Sequence, residues 1–319
     1  MAYLGIDIGG TKIAAGIVSE DYRLLKRKSI PTDVKGGPEK IAQDIRTLLN
    51  ELMEEGGLAF DDLPYIGIGC PGTIDHKQGV VKYANNLDFM DVPLGAMLQA
   101  KLPVPVYLEN DANCAGLGEY YSLENRDSVE NFFMLTLGTG IGSALVLNGK
   151  LFRGFNGAAP EIGHCVIRMD GIPCLCGNRG CWEMYCSGHA LTDKTRETAR
   201  QNPKSRLWEL AAGEIGRMDG RTAFQAYRLG DEAGTAIVEE YLRCIKVGVA
   251  NIINSYQPQV LTLGGGIGEC EEAILRAAEE AVLEGSYCKT LEHTSVCRAK
   301  LGGDAGIYGA ACLMRPPSV

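Results

Sequence analysis

The chain has 319 residues, 45% of them hydrophobic and 22% charged, with a formal net charge of −9. That is the composition of a globular protein able to bury a large core, enough for two domains. The negative charge argues against nucleic acid as a partner, and no apolar run is long enough to span a membrane. The first residues read as a strand, not as a signal peptide. The 12 cysteines are therefore expected to be mostly reduced thiols of a cytoplasmic protein, not a disulfide framework.

Residues 3–18 (YLGIDIGGTKIAAGIV) predict a strand ending at Asp7, a tight turn at Gly9 and Gly10, and a second strand from about Lys12. Such a hairpin can bring backbone N–H groups against phosphate oxygens, and Asp7 could hold a magnesium ion through water. An ordinary hairpin has the same pattern. Residues 37–56 predict an amphipathic helix, with Ile41, Ile45, Leu48, Leu49 and Leu52 at helical spacing. Residues 65–72 (YIGIGCPG) predict a buried strand running into a Pro-Gly turn, followed by a loop with Asn85 and Asn86. Asparagine amides suit sugar hydroxyls, and they also suit turns.

Residues 104–119 (VPVYLENDANCAGLGE) predict a short strand, then Asn110 and Asp111, then a helix from Ala112. Ligands of open α/β sheets bind at the carboxyl ends of strands, which places Asp111 for chemistry. Its other reading is a helix N-cap. Residues 132–150 repeat the first pattern, strand, glycine turn at Gly138, Thr139 and Gly140, strand. Two such hairpins suggest an internal duplication, and two glycine turns can grip a triphosphate. Residues 231–256 predict a long helix, and 260–263 a buried strand followed by Gly264, Gly265 and Gly266. The last segment, 301–314, is glycine-rich and then helical.

Between these lies the stretch 160–188 (PEIGHCVIRMDGIPCLCGNRGCWEMYCSG). His164, Cys174, Cys176 and Cys181 form a Cys3His set of the kind that closes a tetrahedral zinc site. Gly177 and Gly180 let the CxCGxxGC backbone fold tightly around a metal. The alternative is a run of reduced, buried thiols. Cys165 and Cys186 break the spacing and read as small packing residues. Glu161 precedes His164 by one helical turn, so the two can share a face if this piece is helical.

Together these segments resemble the ROK family (repressors, open reading frames, sugar kinases) along the whole chain, and most closely its bacterial glucokinases. DIGGTK at 7–12 and LGTGIG at 137–142 look like its two phosphate motifs, LGGGIG at 263–268 like its adenosine motif, and ENDAN at 109–113 like its catalytic segment. EIGH followed by CxCGxxGCxE is its signature. The resemblance implies a two-domain α/β, actin-like ATPase (ribonuclease H-like) fold with the active site in the interdomain cleft. The domains are expected at 1–113 and 114–300, the C-terminal helix near 301–319 packing back on the first. It implies ATP-dependent phosphorylation of a hexose, glucose above all, at the C6 hydroxyl. Other hexoses (N-acetylmannosamine, fructose, allose, mannose) remain open, as does a non-catalytic sugar sensor. Asp111 is then the general base. Gly72, Asn86, Asn110, Glu161, His164 and Glu183 hold the sugar with it. Asp7, Gly9, Gly10, Thr11, Lys12, Gly138, Thr139, Gly140, Gly264, Gly265 and Gly266 hold ATP and its Mg2+. The zinc is structural, and His164 serves both metal and sugar. Family repressors place a DNA-binding segment before the first phosphate motif, for which these first residues leave no room. A homodimer or higher homo-oligomer is the family expectation.

Overall fold

The computed structural model describes residues 2–268 and 271–314. In chain order come β1 (Ala2–Ile8), β2 (Lys12–Ser19), β3 (Leu24–Pro31), α1 (Gly37–Gly56), β4 (Ile66–Cys70), β5 (Thr73–Asp75), β6 (Val80–Ala84), β7 (Phe89–Val92), α2 (Leu94–Gln99), β8 (Val106–Asn110) and α3 (Asp111–Tyr121). Then follow β9 (Phe132–Leu137), β10 (Ile141–Leu147), β11 (Lys150–Leu151), α4 (Glu183–Cys186), α5 (Gly188–Gln201), α6 (Arg206–Leu210), α7 (Gly220–Arg228), α8 (Glu232–Tyr256), β12 (Val260–Gly264), α9 (Gly265–Gly268), α10 (Glu272–Gly285), β13 (Ser295–Arg298) and α11 (Ala305–Ala311).

Two five-stranded sheets have the orders β3-β2-β1-β4-β8 and β11-β10-β9-β12-β13. In each, a chain-ordered antiparallel edge leads to a central first strand, and two later strands extend the sheet on the other side. In the first sheet β1, β4 and β8 run parallel; in the second, β12 and β13 do. This shared order supports the duplication expected from the two hairpins. A small antiparallel sheet, β5-β6-β7, stands apart.

The chain divides into two compact units. The first comprises residues 1–134, 144–160 and those from Lys300 onward; the second comprises 135–143 and 161–299. The division falls inside β9 and β10, not at the expected 113/114 boundary. That position lies within α3, which is unbroken and belongs wholly to the first unit. The physical reason is packing: α3 lies against α11, so the helix after the ENDAN segment stays with the first sheet.

Local sequence explains the elements that frame the first unit. Helix α1 buries Ile41, Ile45, Leu48, Leu49 and Leu52 along one face, has Pro38 in its first turn and stops at Gly57 with φ 65°. Its face joins Ile6, Ile8, Ile13 and Ile68 of the sheet in one core. Truncating Leu49 to Ala there would cost about 2–5 kcal/mol, because a packed core collapses only partly around the gap. On the other face, α11 approaches β1 and β4 so closely that only glycine fits. A Cβ at Gly5 would stand 1.9 Å from the Ile307 carbonyl oxygen, and one at Gly67 1.8 Å from that of Ala310. This contact brings the start of α11 to Asp7.

Among the described residues no helix is long and apolar enough to cross a membrane.

Candidate active site

In the first unit the groups gather at the carboxyl ends of the parallel strands. Asp7 lies near the end of β1, its backbone in register with Ala14 of β2 and Gly69 of β4. Its half-buried carboxylate has its pKa raised from 3.8 to about 6, first by burial and then by the nearby Asp111; Lys12 pulls it back and Asp304 adds to the rise. Beyond β1 the turn closes on itself, with Gly9 N–H donating to the Lys12 carbonyl at 2.8 Å. Thr32 Oγ1 donates to the Gly9 carbonyl at 2.6 Å. Thr11 and Lys12 are exposed. A Cβ on Gly10 would come 2.9 Å from the Asn86 carbonyl oxygen, so Asn86 sits directly against the first glycine turn.

At the end of β8 the two readings of Asp111 are separated. Asn110 is the cap: its backbone is extended and its Oδ1 accepts from Asn113 N–H at 3.0 Å. The helix starts at Asp111, one residue before the expected Ala112. Asp111 Oδ1 accepts from Ala112 N–H at 2.8 Å. Burial pushes the Asp111 pKa up, and that hydrogen bond partly offsets the rise. The cap need is already met, so it does not account for an acid at this place. Asn110 Nδ2 donates to the Gly72 carbonyl at 3.0 Å, which brings those two expected sugar ligands together. The Asn110 amide is thus engaged within the protein, and its hydrogen bond to the Asp111 carboxylate also holds that pKa down.

In the second unit, the turn after β9 has Gly138 N–H donating to the Gly140 carbonyl at 3.0 Å, and the Gly138 carbonyl accepting from Gly188 N–H at 2.7 Å. Gly138 has an ordinary negative φ and open space where a side chain would project. It is therefore not a left-handed turn position; a side chain would fill adjacent space and leave the backbone unstrained. Glu183 Oε2 accepts from Ile141 N–H at 2.8 Å, and a Cβ on Gly140 would touch that same carboxylate oxygen at 2.5 Å. The Glu161–His164 segment is a 3-10 turn over Ile162–His164, not an α-helix. Residues three apart then eclipse. Ile162 N–H reaches Ser143 Oγ at 3.4 Å, and Gly163 packs on the Ile141 carbonyl. The turn and Glu183 thus converge on the start of β10.

The four metal candidates are brought together. Their ligand atoms lie within 4.8 Å of one another, with Cys174 Sγ 3.6 Å from His164 Nδ1 and Cys176 Sγ 3.6 Å from Cys181 Sγ. Tetrahedral zinc with ordinary Zn–S and Zn–N bonds needs ligand separations of about 3.5–3.8 Å, so the set fits. Gly177 and Gly180 have φ 93° and 77°, and a Cβ on Gly180 would stand 1.7 Å from the Arg168 carbonyl oxygen. The loop therefore closes as expected. Burial raises the Cys181 pKa to about 12, while a backbone hydrogen bond at Asn178 lowers that of Cys176. A bound cation would deprotonate such thiols outright. Cys186 is buried as expected, but Cys165 is exposed: it stands at the surface beside the knuckle, not in packing.

A cavity of about 540 Å³ opens beside the second glycine turn, lined among others by Gly138, Thr139, His189, Arg221, Phe224 and Gly266. Gly264 is a buried strand residue, and the expected 264–266 turn is the end of β12 followed by the helical turn α9. Gly265 has φ 81°, and a Cβ there would stand 2.6 Å from the Leu137 carbonyl oxygen, so it needs to be glycine for packing. Only Gly266 of the three lines the cavity. The wall from α5 and α7 was not visible in the sequence. The one usable signal there was Gly188, whose N–H reaches the second turn.

Backbone amides at glycine turns suit phosphate oxygens, and a carboxylate with a raised pKa suits a hydroxyl proton. Those are the parts of a phosphotransferase acting on an alcohol. The chain matches the ROK family over residues 3–316 and belongs to it. It is 34% identical to the glucokinase of Thermotoga maritima over 313 residues, 98% of this chain and 96% of that protein. It is 33% identical to the N-acetylmannosamine kinase of Haemophilus influenzae over 316 residues, 98% of this chain and 94% of that protein. Among solved structures, a ROK family glucokinase from Streptomyces griseus in complex with glucose and AMPPNP superimposes with a TM-score of 0.80. It has 33% identity and covers 99% of both chains.

Proposed function

We propose that this chain is an ATP-dependent glucokinase that transfers the γ-phosphoryl group of ATP to the C6 hydroxyl of glucose. The observation that carries the reading is Asp111: an acid at a strand end, its pKa raised by burial, whose capping duty is done by its neighbour Asn110. Asp111 takes the proton from the sugar hydroxyl, and the freed oxygen attacks the γ-phosphorus. General-base help of this kind is worth about two to four orders of magnitude. Asn110 and Gly72, already joined, and Asn86 are the candidate sugar ligands of the first unit; Glu161, His164 and Glu183 are those of the second. The glycine turns after β1 and β9 offer amides to phosphate, and Gly266 with the cavity beside it takes the nucleoside. Its volume of about 540 Å³ lies within the usual range for small-molecule sites. When bound, Mg2+ spreads the charge of the triphosphate, and Asp7 is the group to hold it through water.

The Cys3His cluster holds a structural zinc. His164 faces it with Nδ1, which leaves Nε2 for a sugar hydroxyl and fixes the ring. A cytoplasmic location accords with the free thiols of the described cysteines. The relatives named for glucose and for N-acetylmannosamine have nearly equal identity to this chain, so N-acetylmannosamine is the second candidate substrate. An ADP-release assay over glucose, N-acetylmannosamine, fructose, allose and mannose tests the reading. Highest kcat/KM for glucose supports it; highest kcat/KM for another sugar overturns the assignment of glucose.

A further inference from the structure

Glu109 ends the strand that delivers Asn110 and Asp111, and it is only 2% exposed. A buried carboxylate is costly unless its oxygens are occupied. Those of Glu109 are. Oε1 accepts from Asn110 N–H at 2.9 Å and from Asn113 Nδ2 at 3.0 Å. Oε2 pairs with the Arg153 guanidinium.

The partners matter more than their number. Asn113 is held twice, by its backbone N–H to Asn110 Oδ1 at 3.0 Å and by its side-chain amide to Glu109. Glu109, Asn110 and Asn113 thus form a closed hydrogen-bonded ring through the backbone on both sides of Asp111. Glu119, equally buried at 2% exposure, makes an instructive contrast. It accepts from Lys300 and Leu301 N–H and so fastens two distant parts of the chain. Glu109 instead bonds Asn110 and Asn113, which stand on either side of the base, and Arg153.

Arg153 adds a second link. It follows β11, and its carbonyl accepts from Ala159 N–H at 3.1 Å, which closes the 153–159 loop on itself. The guanidinium supplies a counter-charge to a carboxylate placed two residues from Asp111. Without it, Glu109 would disfavour the charged form of any acid nearby.

We propose that Glu109 is a positioning residue for phosphoryl transfer: it fixes the Asn110–Asn113 backbone and thereby the aim of Asp111, with Arg153 as its required charge partner. This rests on the kinase reading above. Base catalysis depends on geometry within a fraction of an ångström, and a displacement of about 1 Å can cost on the order of a hundredfold.

The test is the steady-state kinetics of Glu109→Gln, Arg153→Met and the double variant, with folded fraction measured by circular dichroism. Glutamine keeps the shape and can still accept from Asn110, but it leaves Arg153 without a counter-charge. The expected result is a fall in kcat of about 10- to 100-fold per folded molecule. The KM for ATP should stay close to wild type, and the acid limb of the pH profile should remain, since Asp111 is still the base. The double variant should recover part of the loss, because it removes the stranded cation along with the acid. Should Glu109→Gln fail to fold, Glu109→Asp keeps the charge pair but shortens the reach to Asn110 and is expected to fold with reduced kcat. Wild-type kcat per folded molecule in either variant would overturn the assignment, as would a loss explained wholly by unfolding. A wild-type protein inactive on every sugar would instead remove the kinase reading itself, so the two failures are distinct.

Discussion

Replacing Asp7 by asparagine should stabilise the protein while impairing its activity. The wild-type carboxyl has its pKa raised from 3.8 to about 6, chiefly by burial and by Asp111. The folded state therefore binds this proton more tightly than the unfolded state does. Stability is undiminished below about pH 4, falls as pH rises from about 4 to 6, and stays lower above that. A shift of about two units corresponds to roughly 3 kcal/mol at about 1.4 kcal/mol per unit. The side chain is only half-buried, so solvent screening brings the expected cost to about 1–3 kcal/mol. Asparagine has the same shape and never ionises. Asp7→Asn should therefore be about 1–3 kcal/mol more stable than wild type at pH 7 and nearly equal to it at pH 4. The assay is urea unfolding followed by far-UV circular dichroism at both pH values. Both tryptophans, Trp182 and Trp208, lie in the second unit, so tryptophan fluorescence would report on the wrong part. With ATP and Mg2+ present the gap should narrow, because wild type gains more from ligand. A variant less stable at pH 7, or a gain of the same size at pH 4, would refute the argument.

Further outcomes follow from the other parts of the site. Gly138→Val should raise the KM for ATP while leaving the glucose KM nearly unchanged, because its side chain would project into open space beside the cavity; calorimetry with an ATP analogue checks this, and unchanged affinity would remove the second turn from the site. Cys176→Ser should lose the metal, since serine is a poor zinc ligand, loosen the knuckle and raise the sugar KM with little change for ATP. Elemental analysis should find about one zinc per wild-type chain if the four ligands close one site, and full zinc in the variant would contradict the ligand set. The acid limb of kcat/KM should lie above the ordinary aspartate value of about 3.9, because burial raises the Asp111 pKa; a limb at or below that value would argue against Asp111 as the base.

What the sequence made legible was contiguous. Each glycine turn, the ENDAN segment and the CxCGxxGC knuckle gather their candidate residues within a few positions, so spacing alone marks them. The choice between Asn110 and Asp111 as cap was not legible, because both residue types cap helices well and only the observed backbone distinguishes them. Nor was the conformation at Gly138, since a glycine can mark positive φ, close approach or open space. The cavity wall escaped because His189, Arg221 and Phe224 come from two helices, in a polar stretch of sequence without a chemical motif. The unit boundary escaped because the chain leaves the first unit and returns to it twice, with no change in composition to mark the crossings.

The most direct test combines product identification with removal of the base. Wild type and Asp111→Ala are incubated with glucose, ATP and Mg2+, ADP release is followed, and the product is identified by phosphorus and carbon NMR. The account predicts that wild type yields ADP and a sugar phosphorylated on the C6 oxygen. The variant, folded like wild type and still binding ATP, should turn over at less than about a tenth of the wild-type rate. No ADP release by wild type with glucose, phosphate on another oxygen, or a variant that keeps more than about a tenth of wild-type turnover would contradict it.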